Sequence, residues 1–510
     1  YVTDRFGLPV ADGTPVTAVP DGGYVFSQWS DGVLTAARTD TNVTADLTVT
    51  ASFVVPPPVV TSFAINSGVA TTMSLGATLN NTCLGSPTQY MASESPTFSG
   101  ASWAAYGTAP NFLLSFGVGR RRVYFKARNG SGESGVVSDT IFLEPSMVPV
   151  AAGSFNMGRT SAGDDAAYDF TDEDPVHSVT LGAYSLGKFE VTNKEYCDVL
   201  NWALAQGYLL TSTGAAWTGT GDIYAGDPWT LCRLISFPSS DHNIQYASGV
   251  FTSKTRVGRP GTTSYSMDTH PMVGVTWNGA AAYCNWLSQM QGLTPCYRMW
   301  GTGFQLMVAP PTAGGYRLPT EAEWARAAAW DGPKHWIYGF MRDTNTVGTR
   351  NRCNDYNSGS SGDNPLGLTT EPYTSPVGWF NGTNVSPNGS VTTVNSPSPV
   401  GAYDMSGNVS EWCGDWYLNT YYGVSPASNP TGPATGTYRV LRGGNWRGLY
   451  IHCRSAYRHY TWPVDSYEGY GFRISRSTVS VPVVTLFAIN TGAETTMNPV
   501  VTLDNTATNA

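Results

Sequence analysis

Apolar and polar positions alternate with a period of two through the first part of the chain. Thr14–Val19, Tyr24–Trp29 and Ala45–Phe53 all read this way, and Asp21-Gly22-Gly23 separates the first two. Period-two patterning broken by Gly and Asp predicts short antiparallel strands over residues 1–55. Val54-Val55-Pro56-Pro57-Pro58 then forms a stiff linker, because consecutive prolines favour extended polyproline geometry. Beyond it, residues 59–145 offer further short strands, ending in Val123–Arg128, the turn Asn129-Gly130 and Ser131–Leu143. Several strands at this spacing predict an immunoglobulin-like sandwich.

The same pattern recurs near the other end. Val59-Val60-Thr61, Phe63-Ala64-Ile65-Asn66, Gly68 and Thr71-Thr72-Met73 return 424 residues later as Val483-Val484-Thr485, Phe487-Ala488-Ile489-Asn490, Gly492 and Thr495-Thr496-Met497. Residues 480–510 therefore read as the start of a second, incomplete immunoglobulin-like repeat. Half a sandwich cannot bury its own hydrophobic face. Two expectations follow: a longer repeat protein of which this is a part, or a neighbouring molecule that completes the module. A strand donated between neighbours would build a fibre.

Between these modules the period changes to that of helices. Asn193–Gln206 places Tyr196, Val199, Leu200 and Ala203 on one face, and Asn278–Met290 repeats Ala281, Cys284, Trp286 and Leu287. Thr320–Ala329 opens with Thr320-Glu321-Ala322-Glu323, a threonine cap followed three residues later by Glu, which is a capping box. The rest of residues 147–476 is rich in Gly, Pro and Asn. A few helices within a long loop-rich region predict an α+β domain, not an alternating βαβ one.

Composition narrows the partners. The 510 residues are 13% charged and 12% aromatic, with 56 Gly, 33 Pro and a net charge of −9. No Lys/Arg run stands out, which discounts nucleic acid and anionic membranes. No apolar stretch approaches the roughly 20 residues needed to span a bilayer. Eight cysteines include no CxxC pair, so zinc-ribbon and thioredoxin readings fail. The low charge and the abundance of Thr, Ser, Gly and Asn point to an oxidising, extracellular or cell-surface setting with some disulfides.

Two resemblances add to this. Val16–Pro20, Tyr24–Asp31 and Val49–Phe53 resemble the small β-grasp repeat of bacterial surface proteins. The second is denser. Ala152-Gly153-Ser154-Phe155-Asn156-Met157-Gly158, Phe189–Tyr196, His270–Trp277, Tyr316–Trp324, Tyr403–Trp412, Arg442–Trp446 and Gly471-Phe472-Arg473 stand in the order of the formylglycine-generating-enzyme family. That resemblance implies a C-type-lectin-like fold for residues 147–476.

The family's enzymes bind copper(I) through two thiolates in a CxxxxC spacing after an Arg-Gly-Gly-Ser motif, and soft sulfur pairs suit that ion. Here Asn445 replaces the serine, and Cys453 is the single cysteine between Arg442 and Arg473. The iron-dependent relatives need HxxxHxE, a spacing that none of the six histidines provides. No copper and no catalytic residue are therefore expected. The resemblance also implies a structural Ca²⁺, held by the side chains of Asp404 and Glu411 and the carbonyls of Gly407 and Val409, since calcium accepts hard oxygens on irregular loops. It suggests a Cys413–Cys453 disulfide. Relatives diversified in the stretch after Trp446 suggest a recognition face of Trp446, Tyr450, His452, Tyr457, His459, Tyr460, Trp462, Tyr467 and Tyr470, residue types that dominate binding surfaces.

The resulting reading is a secreted or cell-surface, non-catalytic adhesion scaffold with a protein or carbohydrate ligand. A structural subunit of a fibre or surface layer, in which copies join head to tail, is the alternative. A metal-dependent oxidase comes third.

Overall fold

A computed structural model describes residues 13–43, 47–168, 170–227, 230–259, 263–300, 303–306, 314–344, 351–356, 364–477, 483–489 and 503–508. The chain is mostly β with few helices, and its strands fall into many small sheets. It divides into two compact units, Tyr1–Glu144 and Pro145–Ala510.

In the first unit, Val25–Trp29 pairs with Ala51–Val54, and Val16–Thr17 pairs with Ala37–Arg38. Trp29 is buried beneath the Arg38 guanidinium, 5.1 Å from its ring centroid. After the proline linker come two sheets. One holds Val59–Ile65, Gly76–Leu84 and Asn111–Leu113; the other centres on Gly119–Asn129, flanked by Val137–Leu143 and Gln89–Ser93. Alternation explains their packing. Ile65 and Leu79 from one sheet meet Val123, Phe125, Ala127 and Ile141 from the other in one core, and Phe63 and Tyr90 stack on Phe125 at 5.1 and 5.5 Å.

The sequence repeat is also a structural repeat. Val59–Ile65 pairs with Gly76–Leu84 from Val59↔Leu84 to Ile65↔Leu79, with an irregularity between Val60 and Ser62. Val483–Ile489 pairs with Leu503–Thr508 from Val483↔Thr508 to Ile489↔Leu503, with the irregularity between Val484 and Leu486. Every position is displaced by the same 424 residues. The remaining repeat positions, 490–497, lie outside the described residues.

The second unit contains α1 (Gly163–Ala167), α2 (Asn193–Ala205), α3 (Trp277–Gln291) and α4 (Glu321–Ala329). Threonines start the last three. Thr192 and Thr320 form capping boxes with Glu195 and Glu323, and Thr276 accepts the Gly279 N–H. Gly292, at φ 78°, ends α3 in the left-handed region that glycine adopts without penalty. Strand Tyr184–Gly187 pairs with Met147–Val150 on one side and Ser475–Ser477 on the other, which brings the two ends of this region together. A four-stranded sheet in the order His459–Thr461, Arg439–Arg442, Ser410–Trp416, Tyr470–Gly471 carries the residues of interest. Trp324 of α4 sits in the main core with Tyr184, Ala402, Met405 and Val440.

Candidate functional site

The 404–411 loop is shaped by backbone constraints. Asp404 and Asn408 adopt φ values of 59° and 61°, and Gly407 sits at 83°. A Cβ on Gly407 would lie 2.4 Å from the Asn354 carbonyl oxygen, so only glycine fits. The loop leads into Ser410–Trp416, where Glu411 is fully buried. Its Oε1 accepts Arg473 Nη2–H at 2.6 Å, and its Oε2 accepts Arg473 Nε–H at 2.6 Å and the Trp324 indole N–H at 2.8 Å. Arg473 also donates to the carbonyls of Gly187 and Tyr403, both at 2.9 Å. Asp404 accepts the Gly378 N–H at 2.6 Å, and burial pushes its carboxyl up to about 6. Glu190 is raised well above the usual carboxylate range by burial and then by the nearby Asp404 charge.

Of the two side chains expected to hold Ca²⁺, Glu411 is engaged by an arginine, whereas Asp404 lies near a second buried carboxylate, Glu190, whose Oε2 has no hydrogen-bond partner among the described residues. The guanidinium of Arg473 takes both Glu411 oxygens, so a fixed cation already balances the acid that calcium would need. Gly407 and Val409 supply carbonyls to this loop, but among the described residues no group of three or more His, Cys, Asp or Glu is placed to hold a metal.

The cysteines also depart from expectation. Cys413 and Cys453 are both free and buried, so the Cys413–Cys453 disulfide is absent. Cys413 packs in the main core, whereas Cys453 lies in a separate cluster with Ile337, Tyr338, Phe340 and Cys353. Complete burial raises the Cys453 thiol well above its ordinary value, which keeps it protonated and poorly nucleophilic. All eight cysteines are free.

The segment after Trp446 divides in two. Its inward residues bind carboxylates. Arg454 is held by Asp165 at 2.6 Å and Glu173 at 2.7 Å; Arg458 binds Glu321 at 2.7 and 2.9 Å. Trp446 is also interior, only 2% exposed, packed with Met267, Leu366, Leu368 and Tyr373, and so does not belong to a recognition face. Its size and flatness serve the core here. Tyr450 shares a 2.6 Å hydroxyl contact with Tyr168, and His452 packs on Tyr457 at 4.8 Å.

The outward residues border a cavity of about 960 Å³, lined among others by Phe170, Asp172, Tyr417, Tyr438, Tyr457 and Tyr460. Strand pairing places Tyr460 opposite Val440 and Thr461 opposite Arg439. Tyr417 and Tyr460 stack with centroids 3.9 Å apart, Tyr438 lies 5.2 Å from Tyr460, and Trp462 lies 5.0 Å from Tyr438. Tyr460 and Trp462 remain 42% and 50% exposed. The Tyr417 hydroxyl donates to Asp172 at 2.8 Å, and His459 Nε2 contacts the Tyr470 hydroxyl at 3.0 Å. Burial lowers the His459 pKa, which favours the neutral ring. Tyr467 extends this aromatic chain from Tyr470 at 5.2 Å. Arg458 pairs with Glu321, which Arg442 shares at 3.0 Å, so the groove offers ring faces, hydroxyls, the Asp172 carboxylate and a guanidinium whose charge is only partly offset.

Sequence reasoning missed Tyr417, Tyr438 and Asp172 as members of this groove. Asp172 lies far away in sequence, and the two tyrosines flank strand ends whose pairing is a tertiary fact. The alternation through Trp416-Tyr417 and Tyr438-Arg439 was the available signal.

Comparison with known proteins defines the class. The sulfatase-modifying factor enzyme 1-like domain matches residues 134–478. The chain belongs to that family. Residues 8–56 match the divergent InlB B-repeat domain. The serine/threonine-protein kinase pkn1 of Chlamydia pneumoniae is 30% identical over 335 residues, covering 65% of this chain and 38% of the kinase. The chain thus spans little more than a third of the chlamydial kinases it matches. The formylglycine-generating enzyme of Thermomonospora curvata is 28% identical over 333 residues, covering 64% of this chain and 92% of the enzyme. Among solved structures, the Treponema denticola variable protein 1 aligns with a TM-score of 0.40 and 22% identity, covering 69% of this chain and 99% of that one.

Proposed function

We propose that the chain is a non-catalytic binding protein of the extracellular space or cell surface. Its 147–476 region, with the C-type-lectin-like fold of its family, holds a protein or carbohydrate ligand in the aromatic groove. The observation that carries this reading is the stacked series Tyr417, Tyr460, Tyr438 and Trp462, left partly open to solvent beside a cavity large enough for a ligand. Aromatic residues with few rotatable bonds supply contact area at little entropic cost. The β-grasp-like module at 1–55 and the immunoglobulin-like module at 59–145 would serve as spacers.

Thiol chemistry supports the absence of catalysis. One buried cysteine between Arg442 and Arg473 cannot give a copper(I) ion the two sulfur ligands used by the enzymes. Loading the purified chain with copper(I) and presenting a cysteine peptide is expected to yield no peptide aldehyde. Aldehyde formation would overturn the proposal.

A structural subunit of a fibre is the second reading. It is favoured by the hairpin that recurs with identical register 424 residues apart. Electron microscopy of unpurified culture material tests it: filaments support this reading, and dispersed particles remove it.

A further inference from the structure

The first unit carries a surface unrelated to the aromatic groove. Strand Gly119–Asn129 is the central strand of its sheet, and alternate residues go to opposite faces. Val123, Phe125 and Ala127 are wholly buried on the inner face. Arg120, Arg122, Tyr124, Lys126 and Arg128 therefore share the outer face, where same-face neighbours recur about every 7 Å along a strand. In a chain of net charge −9, four cations are concentrated on one strand face.

The surroundings hold these cations outward without cancelling most of them. Arg128 sits 4.2 Å from the Trp103 ring centroid and donates to the neutral Gln89 at 2.8 Å. Lys126 lies 4.9 Å from Phe98 and 5.1 Å from Trp103, and pairs with Glu133 at 2.8 Å. Most cross-strand neighbours on this face are uncharged, with Thr140 opposite Arg122, Ser138 and Ser93 beside Tyr124 and Met91 opposite Lys126; the acidic one, Glu133, lies opposite Arg128 and pairs with Lys126. Arg120 and Arg122 are exposed, and among the described residues neither has a carboxylate within ion-pair distance.

We infer that this face binds a linear acidic polysaccharide, with successive carboxylates engaging Arg120, Arg122 and Arg128. A guanidinium presents a planar fork that matches a carboxylate with two parallel hydrogen bonds, and three of the four cations are arginines. An extended row suits an extended polymer. Val137–Leu143 pairs the strand from Gly119 to Phe125 and Gln89–Ser93 pairs it from Tyr124 to Arg128, so neither edge is open along the whole row for an added peptide strand. Trp103 and Phe98 already carry cations over their rings, which leaves charge, and not base stacking, as the means of recognition.

The test uses the full chain against immobilised polygalacturonate and hyaluronate, with neutral dextran as the control. Binding to at least one acidic polymer but not to dextran is expected, weakening as salt rises. The Arg120→Gln/Arg122→Gln variant is expected to bind at least tenfold more weakly with an unchanged circular dichroism spectrum, since both side chains are exposed. Failure to bind either acidic polymer, equal binding by the arginine variant, or tighter binding to single-stranded DNA than to both polymers would overturn the inference.

Discussion

Within a dozen residues, the segment from Cys453 to Trp462 is put to two opposite uses. Cys453, Arg454 and Arg458 point inward and are fully enclosed, with each arginine matched to buried carboxylates. Tyr460 and Trp462 point outward and remain half open. Composition does not separate the two, because arginine and tyrosine are amphipathic and suit either setting. The partners do. Glu173, Asp165 and Glu321 come from distant parts of the chain and fix their arginines inside, whereas among the described residues Tyr460 and Trp462 stay 42% and 50% exposed. The inner half is a scaffold held by ion pairs, and the outer half is available for a ligand.

Removing one member of an inner pair should have the largest effect. Arg473→Ala leaves the Glu411 charge buried without its partner and is expected to cost roughly 3–5 kcal/mol. Chemical denaturation measures it, and a cost near zero would break the distinction between the two halves. Arg473→Ala paired with Glu411→Gln is expected to recover part of that loss, because the stranded charge is gone.

Stability should also depend on pH through Asp415. Burial first, then the Glu321 charge, pushes its carboxyl up to about 8. The folded state therefore holds this proton at pH values where the unfolded chain has lost it. Its contribution is present in full below the unfolded carboxylate range, and declines as pH rises towards about 8. Asp415→Asn is expected to flatten that slope in denaturation profiles taken between pH 4 and 8. An unchanged slope would assign it to other groups.

The smallest stability effects belong to the outer half. Tyr460→Ala and Trp462→Ala are each expected to change stability by no more than about 1 kcal/mol while weakening ligand binding. Two null results sharpen the picture further. Calcium or a chelator should leave Tm unchanged, because Arg473 already occupies the Glu411 carboxylate. Alkylation after unfolding without reductant should label all eight cysteines.

The locally encoded parts were legible in the sequence. The capping box at Thr320 was read from residues three apart and α4 starts there, while the same local signal at Thr192 and the left-handed Gly292 were available but not used. The repeat was legible down to its offset. What was not legible depends on residues far apart. Trp446 looked like a surface aromatic, yet Met267, Leu366 and Tyr373 enclose it. Glu411 looked like a metal ligand, yet Arg473, 62 residues later, reaches it first. Tyr417 was invisible as a groove residue because its stacking partner, Tyr460, arrives through a strand two places away in the sheet.

The most direct test is binding of the parent chain and the Tyr460→Ala/Trp462→Ala variant to one array of glycans and extracellular proteins. The account predicts at least one ligand bound by the parent at physiological salt and lost by the variant, with both proteins equally folded. An identical pattern for both would contradict it, because the open aromatic groove would then not be where this protein makes its contacts.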